Sequence, residues 1–241
     1  MHRARRCIKL IPMILNTQPP SDPKERRVVG WFTTAPLYAI VDTALGREMS
    51  LLILVDTLLQ AGVKVIQYRH KETFRRAHFD ECCALAVKVH GSGGLFLVND
   101  RADVAALCGA GGVHLGQEDL PPAKARAFLG PDPIVGRSTH CREQVALADR
   151  EPVDYIAIGP VFPTETKQNP DPVVGLAGVS EARRLTSKPL VAIGGITLEN
   201  AAAVIQAGAT AVAVASDLLL APDIGQRARQ FLAALQTGRA K

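Results

Sequence analysis

Two hydroxyls and an ammonium fall within four residues in the stretch Gly159-Pro160-Val161-Phe162-Pro163-Thr164-Glu165-Thr166-Lys167. Hydroxyls donate to anionic oxygens and a lysine adds a point charge, so Thr164, Thr166 and Lys167 suit a phosphorylated ligand. A polar surface turn explains the same residues when they are seen alone. Similar chemistry recurs along the chain. In Gln67-Tyr68-Arg69-His70-Lys71, strand alternation sends Gln67, Arg69 and Lys71 to one side and His70 away from it. A guanidinium fork and a mobile ammonium on one face can hold a diphosphate. A solvated basic turn is the alternative. Asn99-Asp100-Arg101 and Gly116-Gln117-Glu118-Asp119 put Asp100 and Asp119 at the ends of consecutive apolar runs. Their hard oxygens suit Mg²⁺, which keeps waters and takes phosphate oxygens, although each carboxylate could equally cap a helix. In Gly136-Arg137-Ser138-Thr139-His140, Ser138 offers a hydrogen bond and His140 is a proton carrier or a structural histidine. Gly194-Gly195 and Val214-Ala215-Ser216-Asp217 offer backbone that can approach a phosphate closely.

These groups need elements to position them, and from residue 36 the chain supplies an alternating pattern. Short apolar runs rich in Val and Ile read as strands buried on both faces: 37–41, 64–68, 95–98, 112–115, 134–136, 155–158, 190–193 and 211–215. Helical spacing lies between them. Leu51, Leu52, Val55, Leu58 and Leu59 share one face, with Ser50 as an N-cap and Gly62 as a stop. Asn200, Val204 and Ile205 lead to Gly208 in the same way. Eight βα units in about 205 residues fit a single (β/α)₈ TIM barrel over residues 35–241. A doubly wound open sheet has the same periodicity. In a barrel the chemistry gathers at the C-terminal ends of the strands, where each polar group above falls, and loops seven and eight often hold phosphate.

Composition narrows the function. Hydrophobic residues make up 47% and aromatics 5% of the 241 residues, which suits aliphatic strand and helix layers. The net charge of +5 is confined to one end. Seven of the 28 Lys/Arg and two of the 23 Asp/Glu lie in residues 1–34, so the remaining chain holds 21 of each. A balanced body argues against a nucleic-acid partner. No run approaches the roughly 18 apolar residues of a membrane span. The five cysteines include no CxxC pair and read as reduced thiols of a cytoplasmic protein. Residues 1–34, with His2-Arg3-Ala4-Arg5-Arg6 and four prolines, read as a disordered basic leader with no catalytic role. The partners implied are small molecules, and a homo-oligomer is compatible with the sequence.

The residues point to a metal-assisted diphosphate site near Arg69, Lys71, Asp100 and Asp119, and to a monophosphate site near Thr164, Thr166, Gly195 and Ser216. Two phosphorylated substrates suggest a transferase that loses pyrophosphate. Over about residues 36–220 the chain resembles the thiamine-phosphate synthase (thiamine-phosphate pyrophosphorylase) family. The resemblance rests on QYRHK (67–71), NDRADVA (99–105), GVHLGQEDLP (112–121), GRSTH (136–140), GPVFPTETK (159–167) and AIGGIT (192–197). It implies coupling of hydroxymethylpyrimidine diphosphate with a thiazole phosphate, by a dissociative mechanism with Mg²⁺ as cofactor. It implies a pyrimidine diphosphate site from Gln67, Tyr68, Arg69, His70, Lys71 and Asn99, Mg²⁺ at Asp100 and Asp119, and a pyrimidine contact from Ser138. It places thiazole phosphate at Thr164, Glu165, Thr166, Gly195, Ala215 and Ser216, with Lys167 reaching the diphosphate. Catalysis falls to Arg69, Lys71, Ser138 and Lys167. His70 and Asp217 depart from the commonest family pattern. A thiazole tautomerase of the same fold, with His140 as acid and base, is the alternative. A sugar-phosphate isomerase barrel and a non-catalytic ligand-binding regulator compete less well, because neither accounts for the full set of charged strand ends.

Overall fold

The structure is a computed structural model that describes residues 23–45, 49–164 and 171–239. Helix α1 (Pro23–Thr34) leads into β1 (Leu37–Asp42), a 3₁₀ turn (Thr43–Leu45) and α2 (Leu51–Gln60). Then come β2 (Val65–Arg69), α3 (Arg76–Gly91), β3 (Leu95–Asn99), α4 (Ala102–Leu107) and β4 (Gly112–Leu115). These are followed by α5 (Pro122–Leu129), β5 (Ile134–Thr139), α6 (Arg142–Arg150), β6 (Tyr155–Ile158) and α7 (Gly175–Leu185). The chain ends with β7 (Leu190–Ile193), α8 (Ala201–Gln206), β8 (Ala211–Val214), α9 (Ser216–Leu219) and α10 (Ile224–Arg239). All eight expected strands form, each within a few residues of its expected bounds. Ser50 starts α2 through its carbonyl, which accepts from Leu54 N at 3.0 Å, and its side chain makes no cap bond.

All strand pairs are parallel, and β1 closes on β8 with Leu37 opposite Val212. That pairing decides for the barrel over the open sheet, which periodicity alone could not do. Alternation then divides the side chains into two cores. Ile66, Tyr68, Phe96, Val98 and Val135 point outward and pack under the helices. Tyr38, Ile40, Leu97, Tyr155, Val191 and Ala213 point inward. Tyr155 crosses the interior over Gly136, where an added Cβ would lie 2.1 Å from the tyrosine ring. Glycine is the residue that lets this large side chain fill the barrel.

The final twelve residues of the expected disordered leader are helical. Pro23 takes the first helical position, and Val28 and Phe32 share one face at i, i+4. Both are buried with the inward-facing residues. The Phe32 ring lies 4.8 Å from Tyr155 and 6.2 Å from Tyr38, so α1 seals the N-terminal end of the barrel. Burying such a ring stabilises the fold by about 1.5–3 kcal/mol. Residues 1–22 lie outside the described residues. Among the described residues no helix is long and apolar enough to cross a membrane.

Candidate active site

The inward positions at the C-terminal strand ends are polar. Asp42 and Arg69 are the last residues of β1 and β2 and lie opposite one another in the register. Their side chains form an ion pair in which the carboxylate is 2% exposed and the guanidinium 20%. Asp42 also accepts from Ala44 N at 2.9 Å. Arg69 is therefore held in one position with part of its edge open to the barrel mouth. Sequence reading missed Asp42. A carboxylate closing an apolar run, as Asp100 nearly does, was the available signal.

Asn99 ends β3 and is buried. Its Nδ2 has no hydrogen-bond partner among the described residues. A buried unpaired amide costs about 1–3 kcal/mol, so this group marks a place where a ligand acceptor fits. Next to it Asp100 takes a left-handed backbone (φ 64°) and accepts from Lys71 Nζ at 2.6 Å. Burial pushes the Asp100 carboxyl up to about 6, and a hydrogen bond with the Asp119 carboxyl pushes the same way, against Lys71. Asp119 accepts from Gly116 N at 2.6 Å. Two carboxylates this close favour a shared cation over two bare charges. No group of three or more His, Cys, Asp or Glu residues converges among the described residues. A two-carboxylate donor set fits Mg²⁺, which retains waters and takes phosphate oxygens.

Ser138 faces inward from β5, and its Oγ lies 2.8 Å from His114 Nε2. Burial pushes the His114 ring down to about 4, so it is neutral. His140 donates from Nδ1 to the Gly159 carbonyl at 2.6 Å, and its Nε2 lies 3.5 Å from Asp171. Its Nδ1 is thus committed to the protein.

The other end of the site is built from loops six and seven. Gly195 has φ 60°, and a Cβ there would lie 2.4 Å from the Pro163 carbonyl, so only glycine brings these loops together. Asn200 holds the turn from below. Its Nδ2 donates to Gly195 O at 3.0 Å and its Oδ1 accepts from Thr197 N at 2.9 Å. In the sequence Asn200 is legible only as a helix-face residue. Asp217 accepts from Leu198 N at 3.2 Å and lies 3.7 Å from Arg227, so its charge is committed to loop seven and α10. Ala215 and Ser216 follow β8 beside this loop, and Thr164 ends the described part of loop six. Glu165, Thr166 and Lys167 lie outside the described residues.

The structure therefore brings Arg69, Lys71, Asn99, Asp100, Asp119 and Ser138 to one end of the barrel. Gln67 lies one layer deeper and donates to Tyr38 Oη at 2.6 Å. Tyr68 and His70 are not brought there. Tyr68 points outward and donates to Glu81 Oε2 on α3 at 2.9 Å. His70 Nδ1 lies 2.8 Å from Thr43 Oγ1, and its ring packs 3.8 Å from that of His78.

A closed eight-stranded barrel with cations, paired carboxylates and a glycine turn at its C-terminal strand ends has the architecture of the (β/α)₈ enzymes, with the candidate site where they carry theirs. A family profile described as thiamine monophosphate synthase matches residues 37–218. The thiamine-phosphate synthase of Koribacter versatilis is 50% identical over 205 residues, covering 83% of this chain and 96% of that protein. That of Azorhizobium caulinodans is 42% identical over 203 residues, covering 84% and 96%. Among solved structures, thiamine phosphate pyrophosphorylase from Pyrococcus furiosus is similar with a TM-score of 0.78 and 31% identity, over 86% of this chain and 98% of that one. The chain belongs to the thiamine-phosphate synthase family, which are transferases of thiamine biosynthesis.

Proposed function

We propose that the protein joins hydroxymethylpyrimidine diphosphate to a thiazole phosphate and releases pyrophosphate. The observation that carries this reading is the Asp100–Asp119 pair beside Lys71 and the unpartnered Asn99 amide, at the mouth of the barrel. Asp100 and Asp119 would hold Mg²⁺, which when bound supplies positive charge to the diphosphate. Arg69, fixed by Asp42, and Lys71 bind the diphosphate oxygens, and Lys167 reaches them from loop six. As the carbon–oxygen bond breaks, negative charge grows on the leaving diphosphate, and these cations stabilise it. Asn99 and Ser138 orient the aminopyrimidine, which spreads the positive charge left on its methylene carbon. The thiazole nitrogen then forms the new carbon–nitrogen bond with its lone pair. Thr164, Glu165, Thr166, Gly195, Ala215 and Ser216 hold the thiazole phosphate so that this nitrogen is within about 3.5 Å of the carbon. No covalent enzyme intermediate is required.

Purified protein should release pyrophosphate and form thiamine monophosphate only when given both substrates and Mg²⁺, and EDTA should stop it. Turnover with one substrate alone, or full activity in Asp119→Ala or Lys167→Ala, would overturn these assignments.

A further inference from the structure

We propose that Gln67, Tyr38, Tyr155, His114 and Ser138 form a directed hydrogen-bond chain through the barrel interior, in which Tyr155 and His114 are positioning residues that turn the Ser138 proton toward the substrate. The inference rests on the reading of Ser138 as a pyrimidine contact. The links run from β2 to β1, β6, β4 and β5, at 2.6, 3.1, 2.7 and 2.8 Å. The first three are buried.

Donor counting sets the direction. The Gln67 amide nitrogen has no lone pair to offer, so Tyr38 Oη accepts from it. In the reverse order the buried Tyr38 proton would be stranded without an acceptor, so it goes to Tyr155 Oη, and the single Tyr155 proton goes to His114 Nδ1. With Nδ1 accepting, the proton of the neutral ring sits on Nε2 and is donated to Ser138 Oγ. The Ser138 proton is left over, at the half-exposed end of the chain. Ser138 is thereby a donor toward ligand, and its match on an aminopyrimidine is a ring nitrogen lone pair. A serine held this way has lost its choice of rotor before substrate arrives, which favours catalysis by orientation.

Packing holds the chain in place. The Phe32 ring of α1 lies 4.8 Å from Tyr155 and closes the far end to water. The His114 and Tyr155 rings are stacked with centroids 5.5 Å apart. Tyr155 has room only because position 136 is glycine.

The test uses full-length protein and two readouts. Nitrogen-15 NMR of histidine-labelled protein, with His114 assigned by its loss in His114→Gln, should show the Nε2–H tautomer. In steady-state kinetics Tyr155→Phe should raise KM for the pyrimidine diphosphate about tenfold and leave KM for the thiazole phosphate unchanged. In a Ser138→Ala background the same change should have no further effect, since it acts through Ser138. Additive losses in the double variant would overturn the chain while leaving the Ser138 contact intact. Wild-type kinetics in Ser138→Ala would instead remove the contact on which the chain rests. Should Tyr155→Phe fail to fold, the wild-type tautomer decides, because an Nδ1–H ring cannot accept from Tyr155.

Discussion

Asp42 and Asp100 are both inward carboxylates at strand ends, yet their surroundings give them different tasks. Asp42 is neutralised by Arg69 and fixes it. Asp42→Asn keeps the volume and removes the charge. It should raise KM for the pyrimidine diphosphate about 5–30-fold, equivalent to about 1–2 kcal/mol, with KM for the thiazole phosphate unchanged. Asp100 is pushed up to about 6 by burial and by Asp119. A raised carboxyl is protonated in the folded state over a range where the unfolded chain has already lost its proton. Its stabilising contribution is therefore full at low pH and is lost as pH rises through about 6. A divalent cation replaces that proton, so Mg²⁺ should raise the Tm more at about pH 7.5 than at about pH 5. Equal shifts at both pH values would remove Asp100 from the cation site. At this scale alternation was legible in the sequence: Arg69 and Lys71 do share a side, with His70 turned away. Asp42 was not, because its role depends on a register partner on another strand.

At the scale of elements, loop seven is held by a residue behind it. Asn200 opens α8, and its amide spans Gly195 O and Thr197 N. Asn200→Ala should loosen loop seven and raise KM for the thiazole phosphate about tenfold, while KM for the pyrimidine diphosphate stays put. Inside the barrel, β5 is thinned at Gly136 to admit Tyr155. Gly136→Ala must displace that ring, and overpacking of this kind costs about 1–3 kcal/mol or more. Urea unfolding should show the loss. The glycines of loop seven were recognisable from their pairing and position. The need for Gly136 was not, because it is created by a side chain nineteen residues downstream on the next strand.

The whole molecule is a sealed cylinder with its chemistry at one end. Helix α1 forms the seal at the other end, although the family profile begins at residue 37. Phe32→Ala should cost about 3–5 kcal/mol by opening a cavity against Tyr38 and Tyr155. For a chain of this size the Tm should fall on the order of 10 °C in calorimetry. A shift under about 2 °C would show that α1 is not packed as a plug in solution.

The sequence alone determined the eight βα units, the polar residues at the strand ends and the class of chemistry, because strand periodicity and side-chain chemistry are local properties. Closure of β1 on β8, the Asp42–Arg69 pair, the plug formed by α1 and the run of side chains from Gln67 to Ser138 were decided only by tertiary structure. Each depends on residues far apart in the chain meeting in space, and on burial that removes water as an alternative partner.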